Sequence, residues 1–216
     1  ECSLAGIVRA FEESRRAAEH GRPIALIPAS QFRLGDGSRL VLLAPTEAAY
    51  TQLCTLVSRG RRRAAKGEYR LERRDFEHGL DACLALWLPA HGSEGEADVA
   101  GAHWAASHFH DRSWLAANLS LGADDQARRA RLVATATAAG LPITACGDVR
   151  MHRRSRRMLH DVLAAIRHGC TVRALGYRAL PSGERHLQPR PVLAERYPAT
   201  WLRESCRIAR RCTFRM

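Results

Sequence analysis

Lysine is almost absent from this chain of 216 residues: Lys66 is the only one among 34 basic side chains. The formal net charge of +12 is therefore carried by arginine. A guanidinium is a fixed cation with a planar fork of donors, so this charge does not titrate and matches phosphate geometry. An arginine bias on this scale also reflects coding composition. The sign still matters, because a strongly basic surface attracts phosphate backbones. Long apolar runs are missing too. None reaches the ~18 residues that a membrane span needs, which implies a soluble chain with no membrane partner. The opening residues Glu1-Cys-Ser-Leu-Ala-Gly6 lack the basic start and apolar centre of a signal peptide. They lack an initiator Met as well, so the chain reads as a piece of something longer.

Other absences narrow the chemistry. The seven cysteines contain no Cys-x-x-Cys, and their odd number and scattered spacing argue against a disulfide framework. They fit small buried hydrophobes in a reducing cytoplasm. There is no Ser-His-Asp arrangement, no dinucleotide fingerprint and no phosphate loop. Gly35-Asp-Gly37 is a turn, with no helix directly after it. His103, His108 and His110 are spaced wrongly for one helix face and read as a solvated helix end. No residue is assigned a catalytic role.

What is present is strand and helix in alternation. Ser3–His20 reads as a helix, Pro23–Pro28 as a short buried strand, and 31–34 with 39–43 as a hairpin around the Asp-Gly turn. A helix opens at Pro45-Thr46 and runs to about Ser58, followed by a basic, Gly-broken loop from Arg59 to Arg74. Further strands are expected at 83–88, 113–121 and 141–146, and helices at 99–110, 124–140 and 158–169. A polar loop joins His91 to Asp98. This pattern predicts a parallel α/β architecture, either a barrel or an open sheet. After Gly169 the character changes: 171–191 is loop-like and 192–212 reads as a helical tail. Residues 1–169 are therefore expected as one α/β unit and 170–216 as a linker and helical segment.

The most informative stretch is Leu141-Pro-Ile-Thr-Ala-Cys-Gly-Asp148-Val-Arg150-Met-His152. An apolar strand stops at Gly-Asp and runs into Arg153-Arg-Ser-Arg-Arg157. A polar cluster at the carboxyl end of a buried strand is where α/β barrels carry chemistry. This segment resembles the last metal-ligand motif of the polymerase-and-histidinol-phosphatase (PHP) domain. The version it resembles is that of bacterial error-prone C-family DNA polymerases. Gly60-Arg-Arg-Arg63, Lys66-Gly-Glu-Tyr-Arg-Leu71, Cys83-Leu-Ala-Leu-Trp-Leu-Pro89, Glu184-Arg-His-Leu187 and Ile208-Ala-Arg-Arg-Cys212 carry the same resemblance in order along the chain.

The resemblance implies a distorted (β/α)7 barrel that lacks its first strand here, with a helical tail leading towards a polymerase body. It implies part of a DNA-directed DNA polymerase acting in translesion synthesis, a cytoplasmic nucleotidyltransferase whose own aspartates and Mg²⁺ lie beyond Met216. Implied partners are DNA, the downstream polymerase domains in cis and accessory proteins of mutagenesis. An active domain of this kind holds metal ions on His, Asp and Glu. In this chain the candidate positions are Glu1, Gln31 and Asp148, with His152 two residues displaced from the matching place. Gln31 stands where a glutamate is expected, and a neutral amide is a poor ligand for hard cations. Arg150 stands where a histidine is expected, and a fixed cation repels metal. Two readings remain open. Either the site is degenerate, no metal binds and the domain is a scaffold, or Zn²⁺ or Mn²⁺ serves a working phosphoesterase or 3′–5′ exonuclease. A third class is a nonspecific nucleic-acid binder. Its candidate contacts are Arg59, Arg61, Arg62, Arg63 and Lys66, with Arg153, Arg154, Arg156 and Arg157, and it would be salt-sensitive.

Overall fold

A computed structural model of the protein describes residues 1–89 and 95–216. The expected polar loop from His91 lies largely outside these residues. Helix α1 (Ile7–Glu19) leads in and buries none of its side chains. The expected strand over Pro23–Pro28 does not form. Proline at each end removes a ladder donor, and Ile24 between them is exposed.

The hairpin forms as the Asp-Gly signal requires. β1 (Ala29–Arg33) and β2 (Arg39–Leu43) pair antiparallel from Ala29–Leu43 to Arg33–Arg39. Gly37 takes φ +84°, a left-handed conformation that glycine adopts without strain. The Ser38 N–H and hydroxyl both donate to Asp36. β2 pairs antiparallel with β3 (Leu84–Leu88), and β3, β4 (Ser113–Ala117) and β5 (Ile143–Ala145) run parallel. The sheet order is β1-β2-β3-β4-β5. The fold class is thus α/β, but the sheet is mixed and open. β1 and β5 are its edges among the described residues, where a barrel would join them.

Helix α2 (Glu47–Arg62) starts where expected, with the Thr46 hydroxyl accepting from the Ala49 N–H at 3.2 Å. It continues through Gly60, which composition marked as a breaker. Gly60 is buried, and a Cβ there would lie 2.9 Å from Leu71 Cγ, so the missing side chain admits Leu71. Helices α3 (Gly95–His108) and α4 (Asp125–Ala139) pack on each other and on the sheet. Gly140 ends α4 in a left-handed conformation. Beneath α3 lies an aromatic cluster: Trp104 meets Trp87 at 6.2 Å and Phe76 at 6.3 Å, both edge-on. Helix α5 (Arg157–Arg167) follows β5. Its apolar stripe does not face the core: Met158 is 79% and Ile166 71% exposed. The 172–178 segment, expected as loop, makes short 3₁₀ turns broken at Gly176.

The tail is two helices, not one. α6 (Arg190–Arg196) and α7 (Ala199–Arg211) are separated at Tyr197-Pro198, where the residue before proline is extended. Tyr197 and Trp201 join the main core, and α7 lies along β5. The Ser205 hydroxyl donates to the Ala145 carbonyl at 3.0 Å, and Trp114 Nε1 donates to Glu204 at 2.8 Å. Among the described residues, no helix is long and apolar enough to cross a membrane.

Gly101 offers a direct test of the α3–sheet contact. A Cβ there would fall 2.1 Å from Trp87 Cζ2. In an open helix Gly→Ala stabilises by about 1 kcal/mol. Here Gly101→Ala should destabilise by about 1–3 kcal/mol through overpacking, read as a lower denaturation midpoint.

Candidate functional site: a guanidinium-filled sheet end

β1, β3, β4 and β5 all run one way, so their carboxyl ends share one edge of the sheet. β2 runs opposite and begins there with Arg39. Asp148 follows β5 in a left-handed conformation, φ +40°, which aspartate tolerates better than most residues. Both of its oxygens are committed. Arg150 reaches one at 2.9 Å and Arg185 donates to the other at 2.8 Å. The backbone repeats the link, since the Arg150 N–H donates to the Arg185 carbonyl at 2.8 Å. Arg39 shares this field. Burial chiefly lowers its pKa from the ordinary arginine value; Arg33 and Arg185 add to this, while Asp148 and Glu1 oppose it.

The other expected metal positions divide into two places. Gln31 donates to Glu1 at 3.1 Å, and the Tyr69 hydroxyl donates to the same carboxylate at 3.1 Å. His152 is exposed and accepts from Arg153 Nε at 3.0 Å. No cluster of three or more His, Cys, Asp or Glu among the described residues could hold a metal ion. A divalent ion on Asp148 would sit beside two guanidiniums. Each pair of unit charges at ~4 Å costs about 4 kcal/mol at an effective dielectric near 20. The donor set present here therefore does not fit a metal centre.

The candidate phosphate contacts separate by partner. Arg59, Arg61 and Arg62 lie in the last turns of α2, not in a loop. Arg61 donates to the carbonyls of Glu1, Cys2, Gly67 and Glu68, and its guanidinium lies 5.4 Å from the Tyr69 ring centre. Arg63 pairs with Asp75 at 2.5 Å. Arg154 pairs with Glu184 at 3.5 Å, and Arg157 with Asp161 at 3.2 Å while also bonding the Leu180 carbonyl. Arg59, Arg62, Lys66, Arg153 and Arg156 are exposed without a carboxylate in ion-pair distance among the described residues. Sequence reasoning did not single out Arg39 and Arg185. Arg185 lay within a segment quoted for the resemblance, and Arg39 follows the hairpin turn, but nothing local marks either as facing Asp148.

The fold and this edge define an α/β unit with a cationic sheet end. No protein-family model matches the chain. Named relatives are clear, however. The chain is 47% identical over 214 residues to the error-prone DNA polymerase of Pseudomonas syringae pv. syringae (strain B728a), covering 99% of this chain and 20% of that protein. It is 47% identical over 218 residues to that of Aromatoleum aromaticum and 46% over 215 to that of Methylococcus capsulatus, again with 20% of each relative covered. Along its whole length, then, the chain is homologous to a segment of error-prone DNA polymerases. It spans about one fifth of the length of the relatives it matches.

Two outcomes follow from the geometry. Asp148→Ala leaves Arg150 and Arg185 facing each other and should cost about 2–3 kcal/mol; Asp148→Asn, which keeps a side chain suited to the left-handed turn, should cost less. Denaturant midpoints measure both. Tyr69 gives a pH signature. Burial chiefly pushes its hydroxyl up to about 12 from 10.0, with Glu1 adding to this. Its folded value lies above its unfolded one, so its contribution is complete below pH 10 and is lost as pH rises towards 12. Burial also raises Tyr50 and Tyr197, so absorbance titration should show several tyrosines ionising late, and Tyr69→Phe should remove the step near pH 12.

Proposed function

We propose that this chain is a PHP-type domain of an error-prone DNA polymerase acting in translesion synthesis in the bacterial cytoplasm. Its metal site is degenerate and its role is to support the polymerase body. The observation that carries this reading is the capture of Asp148 by Arg150 and Arg185, with Arg39 beside them. Protein cations occupy the edge where a phosphoesterase of this type would concentrate ligands. Nucleotidyl transfer and its Mg²⁺ belong to the other four fifths of the parent chain.

Closing this open sheet into a barrel would require strands outside the described residues, and an open edge is a pairing surface. The apolar stripe of α5 supports a contact with the remainder of the same polypeptide. A face carrying Met158, Leu163 and Ile166 in the open is costly unless another surface covers it. Arg59, Arg62, Lys66, Arg153 and Arg156 are the side chains placed to touch a DNA backbone, without base readout.

Elemental analysis of the intact parent polymerase tests this. Zn, Mn and Fe should be well below one ion per chain, and equally so in Asp148→Ala. Stoichiometric metal that disappears in Asp148→Ala would instead establish a working phosphoesterase site.

A further inference from the structure

A cavity of about 900 Å³ opens between the end of β1 and the flank of α5. Its size is that of pockets which hold nucleotide-sized ligands, roughly 300–1,000 Å³. Its lining is unusual in charge. Arg33, Arg61, Arg150, Arg167, Arg178 and Arg185 face a single acid, Glu1.

That charge is poorly compensated from within. Among the described residues, the hydrogen bonds of Arg61 run to backbone carbonyls, which are dipoles without net charge. Arg150 and Arg185 share the one carboxylate of Asp148. Arg33 lies 3.9 Å from Glu1, which is already engaged by Gln31 and Tyr69. Arg167 and Arg178 are exposed and have no carboxylate within ion-pair distance among the described residues. His160 also lines the space. Its Nδ1 is buried without a hydrogen-bond partner, the nearest carboxylate oxygen, on Asp161, lying at 3.7 Å.

Clustered guanidiniums repel one another, and the repulsion is relieved by a ligand with several negative charges close together. Guanidinium forks match phosphate oxygens in pairs. We infer that this cavity binds an oligophosphate group without metal, through Arg33, Arg150, Arg167 and Arg178. The phosphates can come from a free oligophosphate or from the end of a nucleic-acid strand, and the test separates these sources. The inference rests on the metal-free reading of this sheet end. Metal content and metal-free binding are read independently, so either can fail alone.

The probe is inorganic pyrophosphate, titrated calorimetrically into the intact parent polymerase in EDTA, which empties any Mg²⁺-dependent nucleotide site. Saturable binding is expected. Arg167→Gln combined with Arg178→Gln should weaken it at least tenfold, because both lost side chains are exposed and should leave the melting temperature unchanged. In a second arm, a 5′-phosphorylated single strand and its unphosphorylated twin compete for the site. Displacement by the phosphorylated strand alone assigns the phosphate to nucleic acid; displacement by neither assigns it to a free oligophosphate. Equal displacement by both strands would overturn the terminal-phosphate site in favour of diffuse backbone attraction. No saturable binding in EDTA, or binding unchanged in the double variant, overturns the inference outright.

Discussion

The carboxyl end of the sheet depends on one carboxylate held between two guanidiniums. Asp148 stops β5 in a left-handed turn, and Arg185 fixes the chain from 148 to 151 against 185 to 187. The same crossing delivers Glu184, which pairs with Arg196 at 2.9 Å and with Arg154 at 3.5 Å. Arg196 and Glu184 are 6% and 12% exposed, so this pair is largely withdrawn from water. Such pairs give little net stability over apolar packing, yet removing one partner is expensive. They anchor the end of α6, and through it the start of α7, which lies along β5. The position of the tail thus follows from the charge arrangement at the edge.

Arginine serves two purposes in this molecule. Much of it is internal carpentry. Arg61 ties the end of α2 to the first residues. Arg112 donates to the carbonyls of Leu80 and Cys83 at 2.9 and 2.7 Å, and buried Arg128 donates to that of Asn118 at 2.9 Å. Arg211 reaches the Asp111 carbonyl at 2.8 Å. A lysine could not replace these, since its ammonium is a point donor that is strongly hydrated. The remainder is exposed and gives the protein its electrostatic character. Net charge alone cannot distinguish the two populations.

The same end of the sheet bears on the proposed absence of metal. A metal cluster needs carboxylates and imidazoles converging on one point. At this end the carboxylates of Glu1 and Asp148 are each taken by protein donors. Guanidiniums supply positive charge without a site for activating water.

Several features were readable from the residues. The Asp-Gly hairpin, the Thr46 cap, the Gly140 stop and the apolar runs of β3, β4 and β5 are set by local geometry, turn chemistry and period. Arg150, two residues after Asp148, was one of its two readable partners, the other being the following helix. Other features were not readable. Gly60 looked like a breaker because its buried neighbour, Leu71, arrives from a later segment. Pro23–Pro28 looked like a strand because apolar residues alone do not show that a ladder partner is missing. Arg39 and Arg185 lie far from Asp148 in sequence, and only the pairing of β2 with β3 and the return of 185–187 bring them to it. The sequence by itself determined the alternation of elements and the sign of the charge, because these depend on neighbours in the chain. The tertiary structure decided which arginines are spent inside and which surround the cavity, because a guanidinium's partners are chosen by what the fold brings within hydrogen-bond reach.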